Sequence, residues 1–165
     1  MSELSSSQQQ ALQPVVYELG ATVYLCQQFE TSLLFLLSIL TAHEGVVTAE
    51  SFKEGVVTYS EKTLGQLAKS FKTKLKLPEN YEIFIREGVD VRNRVVHGFV
   101  LRNSHKFLTD QGRTELIDEL RAAQHVIDER QISVQRVLDR ALQLFGGSLE
   151  QIRKEKVLRF ERDAI

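Results

Sequence analysis

The residues best equipped for chemistry lie together in Asp90-Val91-Arg92-Asn93-Arg94-Val95-Val96-His97-Gly98-Phe99. The run has the apolar periodicity of a helix, yet it carries Arg, Asn and His within six positions. On a helix Asn93 and His97 are four apart and project from nearly the same side. Arg92 lies about 100° around from Asn93. A cation, an amide and an imidazole therefore share one stretch of helix surface. A guanidinium offers a planar fork of donors matched to phosphate oxygens. An imidazole ordinarily changes charge near neutral pH, so it serves as acid or base. That combination suits a phosphate, and no other stretch of the chain presents it.

The elements that must position this surface read as helices throughout. Residues 1–8 form a Ser/Gln-rich tail expected to fray. A long helix is predicted over Gln9–Ala42, with Leu12, Val16, Leu19, Val23, Cys26, Leu33, Leu37 and Leu40 on one row and Phe29, Leu36 and Ile39 on a second. Glu30 interrupts the first row, and a carboxylate in an apolar stripe needs a partner from another helix. Glu-Gly-Val-Val-Thr occurs at Glu44–Thr48 and again at Glu54–Thr58. Both copies read as connecting turns around a short helix near Ala49–Lys53. Ser60 is placed to cap a helix over Glu61–Leu75, with Leu64, Leu67, Ala68, Phe71 and Leu75 inward. Gly65 within it points to close backbone packing. Pro78 ends that segment or starts the next, since Pro suits a first helical position.

The helix predicted over Glu79–Arg102 holds the opening stretch. One row reads Ile85, Val89, Arg92, Val96, Phe99, and another Tyr81, Phe84, Gly88, Val91, Val95. The row Arg86, Asp90, Asn93, His97 is wholly polar and faces outward. Arg92 thus interrupts its stripe as Glu30 does on the first helix, and the two are expected to meet, with Arg94 the rival partner. Asn103–Thr109 reads as a loop. Thr109 or Asp110 is placed to cap a helix running to about Phe145, with Leu116, Leu120, Ala123, Ile127, Val134, Val137, Ala141 and Leu144 inward. Gly146-Gly147 stops it, and Ser148 caps a last helix carrying Leu149, Ile152 and Phe160. The fold class is all-α: a single domain, residues 1–165, built as an up-and-down bundle of four main helices plus a short C-terminal helix.

Composition agrees with a globular helical chain: 165 residues, 42% hydrophobic, 26% charged, two Pro and no Trp. A single cysteine, Cys26, excludes an intrachain disulfide and suits a reducing compartment. The polar N-terminus is not a secretory signal, and Thr31–Leu40 is too short an apolar run to span a bilayer. A cytoplasmic protein without membrane contact is the expectation. The net charge of −1 hides a local imbalance, because Arg92, Arg94, Arg102 and Lys106 fall between Val91 and Thr109 with no acid. Five Lys between Lys62 and Lys76 read first as the solvated face of an amphipathic helix.

Arg92-Asn93-Arg94-Val95-Val96-His97 resembles the Arg-x(4–6)-His motif of the HEPN superfamily, with Asn following the Arg. The resemblance covers this motif together with helix order and length. It implies a small, all-helical, usually dimeric protein. Many such proteins are metal-independent endoribonucleases of toxin–antitoxin or phage-defence systems; others are non-catalytic. Several toxin members carry, two places after the His, a Tyr that a partner antitoxin modifies. Phe99 stands there, so silencing of that kind is excluded.

The resemblance implies an RNA substrate, a homodimer sharing one site, and a possible antitoxin or regulatory protein. It implies no cofactor and no metal. Metal-free RNA cleavage needs a 2′-hydroxyl deprotonated, charge stabilised at phosphorus and a 5′-oxygen protonated. His97 fits the proton transfers, Arg92 the charge, and Asn93 the orientation of either imidazole or phosphate. Glu30 supports Arg92. Arg94, Arg102, His105 and Lys106 are possible RNA contacts. Phe99 and Tyr81 sit on apolar rows and read as core. The alternative is a non-catalytic HEPN-like dimeric module that binds a nucleotide or a partner protein. Elsewhere, Arg121 and His125 look like an ordinary solvated face, and His43-Glu44 lacks zinc-site spacing.

Overall fold

The computed structural model describes residues 5–41, 49–75 and 79–144. Six α-helices and one 3-10 turn account for nearly all of them, and no strand occurs among the described residues. The all-α expectation holds. The helices are α1 (Ser6–Thr41), α2 (Ala49–Ser60), α3 (Leu64–Leu75), α4 (Glu79–Val96), α5 (Phe99–Arg102) and α6 (Asp110–Leu144), with the 3-10 turn at Lys106–Leu108. They fall into two compact units, Met1–Glu30 with Pro78–Gln131 and Thr31–Leu77 with Ile132–Ile165.

Local sequence explains where α1, α3 and α6 start. Helix α1 begins at Ser6, three residues before the expected Gln9, because Ser5 and Gln8 form a reciprocal cap. The Gln8 N–H donates to Ser5 Oγ (3.3 Å) and the Ser5 N–H to Gln8 Oε1 (2.9 Å). Helix α3 begins at Leu64 for the same reason: Thr63 and Gln66 exchange equivalent bonds at 3.3 and 2.8 Å. Thr63, not Ser60, is therefore the cap; Ser60 closes α2 by donating to the Val57 carbonyl. Helix α2 runs to Ser60, so the second Glu-Gly-Val-Val-Thr copy is helical rather than a turn. The first copy, Leu77-Pro78 and the expected C-terminal helix lie outside the described residues. Thr109 caps α6 through its Oγ1, which accepts the Gly112 N–H at 3.0 Å.

In the first unit, the 6–30 part of α1, helix α4 and the 110–131 part of α6 pack around Val15, Val95, Phe99, Leu116 and Leu120. The inward row of α1 differs from the expected one. Val15 is fully buried, whereas Val16 is 61% exposed. The row continues through Glu18, Thr22, Cys26 and Phe29, all buried. Polar Glu18 and Thr22 are tolerated there because α6 satisfies them. Glu18 accepts from Arg121 Nε (2.9 Å) and Gln124 Nε2 (2.8 Å), and Gln124 also donates to Thr22 Oγ1 (3.1 Å). Arg121 is thus a structural partner rather than part of a merely solvated face.

A glycine permits a close approach between α1 and α4. An added Cβ on Gly88 of α4 would lie 2.8 Å from Phe29 Cζ of α1, so only glycine admits that ring. Arg130 of α6 covers the neighbouring Phe84 ring at 4.3 Å and pairs with Glu87 at 2.6 Å. Gly65, by contrast, has nothing within 4 Å of its Cβ position among the described residues, which show no close packing there.

In the second unit, Leu33, Leu36, Leu37 and Ile39 of α1, Tyr59 of α2 and Leu64 and Leu67 of α3 are buried. So are Val134, Leu138, Ala141 and Leu142 of α6. The Phe35 and Phe52 rings meet at a 5.6 Å centroid separation, tilted by 58°. Helix α1 is long and apolar enough, by length and composition, to cross a membrane, and 44% of its apolar stretch is buried. The placement of Glu18 and Glu30 against cations is compatible with the core helix of a soluble protein.

Candidate functional site

The motif lies at the C-terminal end of α4, where the structure departs from a single helix through Arg102. Helix α4 stops at Val96, and Gly98 takes φ 87° and ψ 15° before α5 starts. That left-handed conformation is disfavoured for any residue with a Cβ, so Gly98 is where the chain turns. His97 occupies the last bond of the helix, its N–H donating to the Asn93 carbonyl at 3.0 Å.

Arg92 is the hub of the cluster. Its Nη2 donates to Glu30 Oε2 at 3.2 Å, joining α4 to α1 as the interrupted stripes require. Its Nη1 donates to Asn93 Oδ1 at 3.2 Å and contacts His97 Nε2 at 2.8 Å. Three of the five guanidinium N–H groups are engaged, leaving one on Nη2 and one on Nε. Arginine cannot surrender its proton, so this contact requires Nε2 to be the unprotonated ring nitrogen of His97. An imidazole in that state carries the lone pair a general base needs.

Burial grades outward across the cluster. The side chains of Arg92 and Glu30 are 17% and 27% exposed, Asn93 is half-buried, and His97 is exposed. The arginine borders the core while the imidazole meets solvent, as the three rows on the helix imply. Beneath them lies Cys26 of α1, whose thiol is pushed up to about 11. Burial is the main cause; Arg92 opposes it and Glu30 reinforces it. That thiol stays protonated at neutral pH and is no nucleophile.

The outer cations divide. Arg94 is exposed, and neither it nor His105 makes a side-chain hydrogen bond or ion pair among the described residues. Lys106 Nζ pairs with Glu115 at 3.2 Å. Arg102 is also exposed, but its guanidinium donates to the carbonyls of Arg94 and, at 2.9 Å, His97. Phe99 is buried and Tyr81 partly so, in keeping with their apolar rows. His125 is exposed, 3.7 Å from Glu129, and His43 lies outside the described residues.

Among the described residues no group of three or more His, Cys, Asp or Glu could hold a metal ion. The Glu18–Arg121–Gln124 network carries almost no sequence signal. An acid at position 18 is visible, with nothing to mark it as buried. Comparison with family models, curated proteins and solved structures finds no match for this chain.

Proposed function

We propose that the chain is a metal-independent endoribonuclease of HEPN type, working as a homodimer from the Arg92–Asn93–His97 cluster. One observation carries the reading: a single guanidinium holds both an amide oxygen and an imidazole nitrogen, and is itself held by a carboxylate. This is the equipment needed to receive a phosphodiester and to remove a proton beside it. An incoming phosphate oxygen takes the Nη1 donors of Arg92, which releases the lone pair on His97 Nε2. The freed nitrogen accepts the proton of the 2′-hydroxyl while the 2′-oxygen attacks phosphorus. The P–O5′ bond breaks, a second copy's His97 protonates the leaving 5′-oxygen, and the products are a 2′,3′-cyclic phosphate and a 5′-hydroxyl. Arg92 stabilises the extra charge at phosphorus, Asn93 orients the imidazole, and Glu30 holds the fork.

The exposed Arg94 and His105 are the outer groups available to RNA. We further propose the up-and-down bundle as the helix arrangement, a cytoplasmic location and a toxin or phage-defence setting with a regulatory partner. A second reading is favoured by the saturation of Arg92 Nη1 within its own chain. In it the cluster is structural, and the protein is a non-catalytic dimeric module binding a nucleotide or a protein. Labelled RNA incubated with pure protein in EDTA, beside a folded His97→Ala variant, separates the two. The enzyme reading expects cyclic-phosphate ends from the native protein alone; equal cleavage by the variant ends it.

A further inference from the structure

We propose that Arg102 is a positioning residue for His97, a clamp on the turn that carries the imidazole rather than a contact to RNA. The role rests on the reading of His97 as the proton-transfer group.

A helix leaves its last carbonyls without intrahelical partners, and such carbonyls attract cations and donors. Those of Arg94 and His97 are two of them at the end of α4. Gly98 reverses the chain into α5, and within that single turn Arg102 returns over the end it has just left. Its backbone N–H bonds the Gly98 carbonyl at 3.0 Å. Its two terminal nitrogens bond the Arg94 and His97 carbonyls, so the planar fork bridges one turn of helix end. The guanidinium also lies against Gly98, where an added Cβ would be 3.4 Å from Nη1.

The consequence falls on His97. Its N–H is held by Asn93 and its carbonyl by Arg102, so the peptide on each side is fixed. With the backbone fixed, the ring reaches Arg92 at 2.8 Å from an otherwise exposed position. The far end of the clamp is anchored: Phe99 is buried in the core, and Asn103 Nδ2 bonds the Phe99 carbonyl at 3.1 Å. A solvent-facing imidazole thus keeps a defined geometry without being packed itself.

The test compares Arg102→Met, Arg102→Lys and Gly98→Ala with the native chain by two readouts. Imidazole ring nitrogen NMR, assigned with His97→Gln, reports the Arg92–His97 contact without any turnover. Cleavage of labelled RNA in EDTA reports kcat and KM. Arg102→Met is expected to shift the His97 ring signals and to lower kcat roughly 10- to 100-fold, the scale of a small misplacement of a reacting group. KM should stay within about twofold, as expected when geometry rather than substrate binding is lost. Arg102→Lys should recover part of kcat, and Gly98→Ala should reproduce the shift through the same turn. Native ring signals in a folded Arg102→Met, or a raised KM with native kcat, would overturn the proposal. If Arg102→Met fails to fold, the ring signals of Arg102→Lys and Gly98→Ala decide alone. Absence of cleavage by the native chain ends the endoribonuclease reading but leaves the ring signals to judge the clamp.

Discussion

Two glutamates of α1 each meet an arginine from another helix, and the two sites are built to opposite ends. Around Glu18 the network is closed between α1 and α6, although the Arg121 side chain is 63% exposed. Arg121 and Gln124 of α6 both donate to the Glu18 carboxylate, and Gln124 also donates to Thr22 Oγ1. Around Glu30 the network stays open. Arg92 passes from the carboxylate to an amide and an exposed imidazole. An ion pair between helices is therefore not a signature of function by itself. The difference lies in what the arginine does with the rest of its fork.

The largest expected effect sharpens this contrast at His97. His97→Ala should lower RNA cleavage by about 10²–10⁴-fold, the usual worth of general acid–base catalysis, with unchanged circular dichroism. Glu18→Gln should leave cleavage per folded molecule at its native rate, so the same assay on both variants breaks or keeps the distinction. Next comes Gly88→Ala, which drives a methyl into the Phe29 ring beside the open network. Overpacking of this kind costs about 1–3 kcal/mol, measurable as a lowered urea midpoint with no change in the Glu18 contacts. Glu30→Gln should follow, costing about 1 kcal/mol because the pair is partly exposed. Its cleavage rate should fall more than its stability suggests, since the arginine fork loses its anchor.

The smallest effect is a pH dependence confined to the closed network. Hydrogen bonds from Gln124 and then Arg121 hold Glu18 below its ordinary value of 4.5, with the Arg121 charge adding to them. Its stabilisation is complete above the unfolded value and fades as the pH falls through the lowered folded one. Glu18→Gln should therefore lie below the native chain in Tm at neutral pH and approach it in acid. A constant gap down to low pH would show that the carboxylate's charge is irrelevant.

Much of this contrast is legible in the sequence. Glu30 and Arg92 each stand where an apolar residue belongs, and two such interruptions on different helices call for each other. Asn93 and His97 lie on a polar row; His97 is exposed as that row implies, whereas Asn93 is half-buried with its Oδ1 on Arg92. Glu18 is not legible in the same way, because the apolar spacing runs equally well through Val16 as through Val15. The two residues are adjacent and alike, so periodicity alone does not choose between them. The turn at Gly98 is hidden for a related reason. Phe99 continues the apolar spacing across it, which conceals a break that only a left-handed glycine creates.

Sequence alone determined the helical class, the Thr109 cap of α6, and the grouping of Arg92, Asn93 and His97 at one helix end. These follow from local rules: apolar spacing, the absence of breakers, and the fixed advance of each residue around the axis. Tertiary structure alone decided that Arg92 Nη1 meets His97, that Glu18 is held by Arg121 and Gln124, and that Arg102 folds back onto the helix end. Each depends on a long side chain choosing among several acceptors within reach. That choice is made by neighbouring helices and by one glycine's backbone angle, which no local pattern encodes.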